Sequence, residues 1–430
     1  MFWQKEIELL RRDELRRLQT ERLRKTVAAV WERVPFYRKR FGEAGVGPEA
    51  IGSIEDLCQL PFTTAEDVRR SYPEGLLAAP RSEVVRVHTS SGTTGNPKAI
   101  YFSRRDLETA ADVMARCLTM TGATKEDVLQ NMMTYGLFTG ALMMHYGAER
   151  VGMLIVPSGP GHTERQVKLM RDFRTTILHL TPSYALYLAD YLERQGIDPR
   201  KDLRIRIVYV GAEAYTEETR ARIEAALGVD VFNCYGLSEM NGPGVAFECL
   251  EKSGLHLWED QYLMEIVDPE SGRPLPEGER GELVLTTLCR EAMPLIRYRT
   301  RDITRILPEP CPCGRVHRRI ERISGRADDM LIVRGVNFYP QQIEQVLMGV
   351  RGVGRNYQIL LEQADELTVR VELSASAFDG RVEGLRALQE TLERAIREEI
   401  LVKPKIELVS PGSLPVSEGK AKRVIDNRTL

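Results

Sequence analysis

The sequence predicts an α/β protein with two domains. A large N-terminal domain has parallel sheets flanked by helices, together with a β-rich part, and a small mobile domain at the C-terminus has a ferredoxin-like α+β fold. Three observations predict this fold. Short apolar runs alternate with helical stretches between residues 152 and 234, hairpin-like runs follow from residue 255, and residues 330–409 arrange strands around two helices.

The opening segment has the spacing of amphipathic helices. Its apolar side chains recur mostly at three- to five-residue steps, at Ile7, Leu10, Leu15, Leu18, Leu23, Val27, Val30 and Val34. We expect a helix pair that stops at Pro35, because proline breaks the hydrogen-bond pattern of a helix. The stripe fits two interpretations, which are packing on the core of the chain itself and a contact in a homodimer.

The middle of the chain predicts the parallel sheet. Strands are expected at residues 152–156, 176–180, 205–210 and 229–234, with helices such as 182–195 and 216–227 between them. This alternation is typical of a parallel sheet with helices on its faces. Ligands of such sheets bind at the carboxyl ends of the strands.

The second half of the chain changes pattern twice. A hairpin is expected from residues 257–267 and 281–288, which flank a turn rich in Pro, Gly and Glu. Residues 330–333, 340–348, 355–361, 367–373, 382–400 and 406–409 then read strand, helix, strand, strand, helix and strand. That order is typical of a ferredoxin-like unit. We therefore predict a large domain over residues 1–327, a small domain over 328–430, and a hinge at 327–329.

Composition excludes several classes of protein. The net charge of −2 gives no electrostatic case for nucleic acid or an anionic membrane as partner. The first forty residues lack the pattern of a secretory signal, and no apolar stretch approaches the roughly 20 residues that span a bilayer. Seven cysteines are an odd number, which argues against a disulfide framework and predicts a reducing, cytoplasmic location.

Residues 89–98 read TSSGTTGNPK, a run of hydroxyls and glycines that ends in a lysine. Glycines let the backbone approach a polyphosphate, hydroxyl and backbone N–H groups donate to its oxygens, and the lysine adds positive charge. Taken alone, a run of this composition is more often an ordinary turn, and the exact order of its residues is more specific than its composition. No Ser or Thr follows the lysine, so this is not the loop of the P-loop nucleoside triphosphatases.

Six segments together resemble the adenylate-forming superfamily of acyl-CoA synthetases, peptide-synthetase adenylation domains and luciferases. They are SSGTTGNPK, GAE at 211–213, YGLSE at 235–239, IRYRTRD at 296–302, SGRADDMLIVRGVNFYP at 324–340 and SEGKAKRV at 417–424. Within the superfamily, the wording RYRTRD and RGVNFYP and the segment YGLFTG at 135–140 resemble the phenylacetate-CoA ligases. The resemblance implies that an aromatic acid is activated with ATP and Mg²⁺ as its acyl-adenylate and then transferred to coenzyme A.

The resemblance also implies roles for the nucleotide-binding residues. The loop around the β- and γ-phosphates is expected to consist of Ser90, Ser91, Gly92, Thr93, Thr94, Gly95 and Lys98. Tyr235, beside Gly236, is expected to stack on adenine, Ser238 to contact the α-phosphate, and Glu239 to bind Mg²⁺. The segment Gly211, Ala212 and Glu213 is expected to run along the adenine, and Asp302 to bind the ribose hydroxyls beside Arg326. Arg301 departs from the glycine of many superfamily members, a change that the phenylacetate branch shares.

The C-terminal segments resemble those that change conformation between the two steps. Lys420 is expected to reach the substrate carboxylate and the α-phosphate, with Lys422 as the competing lysine. Asp328 resembles the hinge about which the small domain turns. That turn would bring Gly335 and its neighbours to a channel for the coenzyme A thiol.

An acid pocket is expected from aromatic and small residues, which together form a flat slot for a phenyl ring. The expected residues are Tyr135, Gly136, Phe138, Gly140, Ala212 and the turn Gly242–Pro243. The two aromatic rings equally fit an interpretation as plain core.

Two short clusters of cysteine and histidine predict a structural zinc site. The expected ligands are Cys249, His256, Cys311 and Cys313, with His317 in reserve. The alternative is a group of ordinary thiols on neighbouring loops, because the spacing of Cys311 and Cys313 is tighter than that of a zinc knuckle.

Two other functions stay open at this point. An adenylating enzyme could hand the acyl group to a carrier-protein thiol, although the chain has no fused carrier domain. A nucleotide-binding regulator without catalysis is the other alternative, but such a protein would have little use for Lys420 at the reacting centre.

Overall fold

The computed structural model describes residues 1–89, 96–361, 366–374, 382–415 and 422–428. The helices of these residues are α1 (Lys5–Glu8), α2 (Arg12–Arg33), α3 (Pro35–Glu43), α4 (Ala65–Arg70), α5 (Arg104–Met120), α6 (Thr139–Val151), α7 (Thr163–Asp172), α8 (Pro182–Arg194), α9 (Pro199–Asp202), α10 (Glu217–Leu227), α11 (Pro340–Gly349) and α12 (Val382–Ile400). The strands are β1 (Val84–Thr89), β2 (Ala99–Ser103), β3 (Val128–Asn131), β4 (Leu154–Val156), β5 (Ile177–Leu180), β6 (Ile207–Val210), β7 (Asp230–Leu237), β8 (Gly242–Glu248), β9 (Leu255–Leu257), β10 (Tyr262–Val267), β11 (Gly281–Thr287), β12 (Tyr298–Thr304), β13 (Ile306–Leu307), β14 (Arg319–Ile320), β15 (Gly325–Arg326), β16 (Leu331–Val333), β17 (Val336–Phe338), β18 (Val353–Leu361), β19 (Leu367–Leu373), β20 (Lys405–Val409) and β21 (Val424–Asp426).

The chain divides into two compact units. Unit 1 comprises Met1–Gly159 and Phe232–Ile323, and unit 2 comprises Pro160–Val231 and Ser324–Leu430. The domain boundary at residues 327–329, which the sequence predicts, stays a prediction.

Each unit contains a parallel pair of strands, as the alternating pattern predicts. In unit 1, β3 pairs with β4, and in unit 2, β5 pairs with β6. Every residue of β5 and of β6 is buried, which explains why these strands read as continuous apolar runs rather than as alternating ones.

The β-rich part of unit 1 has two antiparallel sets of strands. One set has the order β10–β11–β12, and the other has the order β13–β14–β9–β8–β7. The predicted hairpin is confirmed, because β10 and β11 pair antiparallel, but its first strand begins at Tyr262 and not at residue 257. Leu257 instead ends β9, which belongs to the other set. Between β9 and β10, the buried carboxylates of Glu259 and Asp260 pair with Arg12 and Arg116.

The N-terminal helices pack on the core of their own unit. Leu15, Leu23 and Val27 of α2 are fully buried, so the interpretation as core is confirmed for the apolar stripe. Helix α2 ends before Pro35 as expected, but Pro35 also begins α3. Proline suits the first position of a helix because the N–H that it lacks would have no partner there.

The C-terminal part of unit 2 is a four-stranded sheet packed against two helices. The strand order is β20–β19–β18–β21, with β18 and β19 antiparallel and the two outer pairs parallel. Fully buried apolar side chains from α11, α12 and these strands form one core, as Leu347, Leu392 and Ile359 illustrate.

The first strand of the ferredoxin-like prediction does not join this sheet. Strand β16 instead pairs with β17, which the sequence analysis missed, and the C-terminal strand β21 lies beside β18. The turn between β16 and β17 consists of Arg334 and Gly335, both with positive φ. Two such residues form the tight turn that matches the twist of a hairpin.

One guanidinium group makes several of the contacts between the two segments of unit 2. Arg222 on α10 donates to the backbone oxygens of Leu347, Val350, Val353 and Gly354 at 3.1–3.4 Å. Two of these oxygens lie at the carboxyl end of α11, where the last carbonyls of a helix lack partners within it. Close by, Glu344 accepts hydrogen bonds from Thr219 at 2.7 Å and from Tyr357 at 2.8 Å. Burial raises the pKa of Glu344.

Among the helices of the described residues, none combines the length and the apolar character that crossing a lipid bilayer requires.

A buried ion pair joins the β-rich part of unit 1 to α5. The carboxylate of Asp260 is fully buried and receives two hydrogen bonds from Arg116, at 2.7 and 3.1 Å. Burial alone would raise the pKa of Asp260, but the positive charge of Arg116 outweighs it and lowers that pKa to about 2. The pair therefore stabilises the fold only while Asp260 is ionised.

We predict that Asp260→Asn lowers the free energy of unfolding at pH 7 by about 3 kcal/mol, because Arg116 loses its counter-charge. The folded pKa lies below the ordinary value of 3.8, so the contribution is complete above pH 3.8 and is lost as pH falls towards 2. Urea unfolding between pH 5 and pH 3 should show the gap between wild type and variant closing. Asp13→Asn, at an exposed ion pair, is the control and should change little. A gap that does not depend on pH would contradict the assignment.

Candidate functional site

Glu239 in unit 1 is a buried carboxylate held by two donors. It lies in the turn after β7, and its side chain is 4% exposed. Lys98 Nζ donates to Glu239 Oε1, and Tyr298 Oη donates to the same oxygen at 2.7 Å. Burial acts to raise the pKa of Glu239, but the charge of Lys98 and the two hydrogen bonds lower it overall. The group therefore stays a carboxylate at neutral pH.

The other carboxylate oxygen of Glu239 is available. No side chain or backbone group of another residue in the described part of the chain donates a hydrogen bond to Oε2. An oxygen of this kind is a hard donor atom, which is the kind that Mg²⁺ prefers.

The aromatic ring and the acid of the predicted nucleoside site contact each other. Tyr235 Oη donates to Asp302 Oδ2 at 2.5 Å, with Tyr235 half-buried and Asp302 nearly buried. The backbone at Gly236 comes very close to β8, because a Cβ there would lie 1.6 Å from the backbone oxygen of Gly242. The segment YGLSE therefore needs glycine at this position for steric reasons.

Strand β12 carries the residue that contacts Glu239 and the residue that contacts Tyr235. Side chains alternate across a strand, so Tyr298, Thr300 and Asp302 of β12 lie on one face, and all three are buried. Tyr298 reaches Glu239, Asp302 reaches Tyr235, and Thr300 donates to the Leu283 oxygen at 2.8 Å.

The arginines of IRYRTRD bind buried acids away from that face. Arg297 donates to both oxygens of Glu265 at 2.8 and 3.0 Å. Arg299 donates to both oxygens of Glu282, which is fully buried, at 2.5–3.2 Å. Paired hydrogen bonds between guanidinium and carboxylate fix geometry as well as charge. They hold β12 in place and therefore hold Tyr298 and Asp302 in place.

Arg301 has a left-handed backbone, with φ at +67°. Its N–H donates to Glu282 Oε1 at 3.1 Å, and its guanidinium lies 3.5 Å from Oε2 of the same residue. Glycine adopts this backbone without strain, which explains the glycine of other superfamily members. In this chain the contacts to Glu282 offset part of the strain.

The segment Gly211–Glu213 belongs to unit 2. Ala212 has φ at +66°, and Glu213 accepts hydrogen bonds from Ser183 N at 3.2 Å and from Ser183 Oγ at 2.9 Å. Glu213 therefore satisfies a backbone N–H in the first turn of α8, where helices favour a negative charge.

Two segments of the predicted acid pocket contact each other, the one around Phe138 and the one at Gly242. Tyr135 Oη accepts from Asn131 at 2.9 Å and lies 3.2 Å from His145 Nδ1, and burial raises the pKa of Tyr135 to about 12. Phe138, which precedes α6, is 42% exposed. The predicted turn Gly242–Pro243 is in fact the start of β8. A Cβ on Gly242 would lie 3.1 Å from the Thr139 side chain, so the start of β8 lies against the start of α6.

Four other residues of the prediction, Arg326, Asp328, Gly335 and Lys422, belong to unit 2. Arg326 donates to both oxygens of Asp328 at 2.9 Å, so the predicted ribose contact and the predicted hinge form an exposed ion pair. Gly335 lies in the turn between β16 and β17, and Lys422 is exposed. The loop residues Ser90, Ser91, Gly92, Thr93, Thr94 and Gly95, and also Lys420, lie outside the described residues.

The cysteine and histidine residues converge in unit 1. The ligand atoms of Cys249, His256, Cys311 and Cys313 all lie within 4.8 Å of one another. Cys249 Sγ is 3.6 Å from Cys311 Sγ, and Cys313 Sγ is 3.3 Å from His256 Nε2. In a tetrahedral zinc site the corresponding distances are about 3.8 Å between sulfurs and about 3.5 Å between sulfur and nitrogen. The donor set and its spacing therefore fit zinc.

The surroundings prepare this cluster for a cation. Hydrogen bonding from Cys249 lowers the pKa of Cys313, and the hydrogen bond to Cys313 raises the pKa of Cys249. His256 Nδ1 lies 2.9 Å from the His317 carbonyl oxygen, an arrangement that leaves Nε2 facing the sulfurs. The ring of the reserve ligand His317 does not join the cluster, because its Nδ1 lies 3.2 Å from Glu259 N as acceptor.

The sequence analysis missed one residue that contacts Glu239. Tyr298 lies in the quoted segment IRYRTRD, four residues before Asp302, but only its contact with Glu239 shows what it does. The period of two along a strand could have indicated that Tyr298 and Asp302 share a face.

Two families match the sequence. Residues 48–289 match the family of AMP-binding enzymes, and residues 335–428 match the AMP-binding enzyme C-terminal domain.

Similar proteins extend over almost the whole chain. A phenylacetate-coenzyme A ligase of Thermus thermophilus is 48% identical and covers 100% of both chains. One from Pseudomonas putida is 47% identical over 97% of this chain and 95% of its own. A crystal structure of 2-hydroxyisobutyryl-CoA ligase in the postadenylation state, in complex with R3-HIB-AMP, has a TM-score of 0.93. It is 30% identical and covers 98% of this chain and 92% of its own, which confirms the predicted fold class.

We predict that Arg301→Val destabilises the protein by about 1–2 kcal/mol more than Arg301→Gly, because a β-branched side chain opposes a left-handed backbone. Midpoints of urea unfolding measure the difference. Arg280, which also pairs with an acid but has no positive φ, is the control, and Arg280→Val should be no worse than Arg280→Gly. Equal midpoints for the two Arg301 variants would contradict the strain.

Proposed function

Because the chain belongs to the phenylacetate-coenzyme A ligase family of AMP-binding enzymes, we propose that it activates an aromatic carboxylic acid with ATP and transfers the acyl group to coenzyme A. In the first step, a carboxylate oxygen attacks the α-phosphorus of ATP, and pyrophosphate leaves with the bonding electrons. In the second, the thiol sulfur of coenzyme A loses its proton and attacks the acyl carbon, and AMP leaves.

One observation carries this proposal. Three distant segments of the chain make direct contacts within unit 1. They contribute Lys98, the pair Tyr235 and Glu239, and the pair Tyr298 and Asp302. Fixed cations and donors are what the first step needs, because two anions must meet. The full-length similarity to phenylacetate-coenzyme A ligases gives these contacts their chemical context.

The nucleotide roles follow from this arrangement and from the motifs. Tyr235 stacks on adenine beside Gly236 and the segment 211–213, which includes Ala212, and Asp302 with Arg326 binds the ribose. Ser238 contacts the α-phosphate. Lys98 and loop residues 90–95 surround the β- and γ-phosphates. The contact between Tyr235 and Asp302 supports the first two roles, since it brings a ring and an acceptor carboxylate side by side.

Glu239 is the proposed ligand of Mg²⁺. Its ionised carboxylate and its available Oε2 fit a hard cation that takes few protein oxygens and completes its shell with phosphate and water. When bound, the ion neutralises negative charge on the phosphates.

Lys420 is the proposed catalytic lysine, which holds the substrate carboxylate against the α-phosphate. The large domain covers residues 1–327 and the small one 328–430, with Asp328 at the hinge between the two steps. The match of residues 335–428 to a C-terminal domain family supports this division.

In unit 1, the residues that line the pocket for the aromatic acid are Tyr135, Gly136, Phe138, Gly140 and Pro243. The contact of Gly242, at the start of β8, with the start of α6 supports part of this set. The hydrogen bonds of Tyr135 to Asn131 and His145 fix its ring, and a fixed ring gives the pocket a defined width.

The cluster of Cys249, His256, Cys311 and Cys313 holds a structural zinc ion. Its four donors leave no position for a substrate, as in closed structural sites. A bound ion would join the turn after β8 to the loop that carries Cys311 and Cys313.

We place the enzyme in the cytoplasm, because ATP and coenzyme A are its proposed substrates and none of the seven cysteines, all within the described residues, forms a disulfide. A homodimer is also proposed, but not through the apolar stripe of α2, which is buried within the chain. Light scattering on the purified protein tests the dimer.

Pyrophosphate release across aryl, arylacetic and aliphatic acids tests the proposed function. We expect turnover that requires ATP, depends on coenzyme A and is fastest with arylacetic acids. Release that ignores coenzyme A would indicate a carrier-protein acceptor, and no release with any acid would refute the ligase.

Lys420→Ala should slow adenylate formation by about a hundredfold or more, because it removes the positive charge between two anions. Thioester formation from supplied acyl-adenylate should stay close to that of wild type. Lys422→Ala is the matched control and should leave both steps intact. An equal loss of both steps in the Lys420 variant would contradict the role.

Elemental analysis of the purified protein should find about one zinc ion per chain. Replacing Cys311 and Cys313 by serine should remove it, whereas replacing Cys58 and Cys289, which lie outside the cluster, should not. Protein that carries no zinc after purification in zinc-containing medium would refute the site.

A further inference from the structure

Lys98 and Tyr298 share one oxygen of Glu239 and leave the other available. Both donate to Oε1, while the described part of the chain provides no partner from another residue for Oε2. The site has therefore two kinds of donor on one carboxylate oxygen, a cation and a neutral hydroxyl. They differ in what happens when a divalent cation approaches.

The charge of Lys98 opposes a free metal ion at Glu239. The ammonium group already neutralises the carboxylate, and a divalent ion bound at Oε2 would lie only a few ångström from it. The hydroxyl of Tyr298 carries no net charge and does not repel the ion. Lys98 must move away before the metal binds, and Tyr298 need not.

The positions of the two residues in the chain suit these different behaviours. Lys98 lies directly before β2 and after the predicted phosphate loop, and its ammonium is at the end of a flexible stem. Tyr298 begins β12, which the bidentate pairs of Arg297 and Arg299 hold in place. The phosphates of ATP carry more negative charge than one carboxylate, so they attract Lys98 away from Glu239.

We propose that Lys98 occupies the place of the metal in the free enzyme, and that a divalent cation binds Glu239 only when a nucleotide draws Lys98 to its phosphates. Tyr298 is a positioning residue that holds Oε1 throughout and directs Oε2 to the ion. The inference rests on the proposed role of Glu239 as the magnesium ligand. It makes metal and nucleotide binding mutually dependent, and linkage requires each to strengthen the other.

Binding of Mn²⁺, followed by the loss of its free electron paramagnetic resonance signal, tests the exchange without any acid or coenzyme A. We expect the wild type to bind Mn²⁺ weakly in the absence of nucleotide. With ATP present, the protein should bind Mn²⁺ at least about tenfold more tightly than free ATP does, which is a coupling of ordinary size between two sites. Lys98→Gln, which keeps a neutral donor, and Lys98→Met should both bind Mn²⁺ about tenfold more tightly than wild type in the absence of nucleotide. Circular dichroism confirms that each variant is folded.

The double variants with Glu239→Gln identify the site, because the gained Mn²⁺ binding should disappear in them. Unchanged Mn²⁺ affinity in both folded Lys98 variants would overturn the exchange. So would tight Mn²⁺ binding by the wild type without nucleotide.

Tyr298→Phe tests the positioning role separately. It should weaken Mn²⁺ binding in the presence of ATP severalfold, with ATP binding in the absence of metal unchanged. Thr300→Val, which removes a hydroxyl on the same face of β12, is the control and should leave Mn²⁺ binding unchanged. Equal effects of the two variants, or a loss of ATP binding in Tyr298→Phe, would refute the role. Because no step of these measurements needs turnover, a chain that behaves as expected but releases no pyrophosphate would refute the ligase and not the exchange.

Discussion

A carboxylate inside a protein stays charged only where cations and donors surround it, and the arrangement of unit 1 depends on this condition. Glu239, Glu282 and Asp260 are buried. Glu239 and Asp260 contact Lys98 and Arg116 from distant parts of the chain, and Glu282 contacts Arg299 on the neighbouring strand. Moving such a group out of water is costly, so each acid fixes the position of its partner. The partners include Arg299 of β12 and Lys98, so packing in this unit also determines where the residues of the predicted site lie.

Strand β12 combines two tasks because its side chains alternate. One face presents Tyr298 to Glu239 and Asp302 to Tyr235, and the arginines between them are anchored on the buried carboxylate of Glu282. A loop could carry the same side chains, but it could not fix them as closely, since a site on a paired strand inherits the rigidity of the sheet. The strain at Arg301 lies within this strand, at the point where its register with β11 shifts.

Sequence reasoning predicted the elements whose signal is local. The buried strands β5 and β6, the helices α8 and α12, and the fourfold cysteine and histidine cluster could be predicted, because apolar runs, helical spacing and ligand types are visible in short windows. It failed where distant partners decide the outcome. Between β9 and β10, a buried acid pairs with an arginine elsewhere in the chain. Strand β16 pairs with β17 and not with the four-stranded sheet, in which β21 lies beside β18. The contact of Lys98 with Glu239 spans 141 positions, and no local pattern encodes it.

Arg222 joins α10 to the end of α11 and the segment that follows it, and this joint has a consequence for how the C-terminal part of the chain can vary in evolution. Its guanidinium binds four backbone oxygens of residues 347–354 and none of their side chains. Substitutions in that stretch leave the acceptors in place, whereas the insertion or deletion of a single residue would displace them. The joint is therefore sensitive to the length of the segment and tolerant of its composition, so relatives that keep it should differ there in residues but not in spacing.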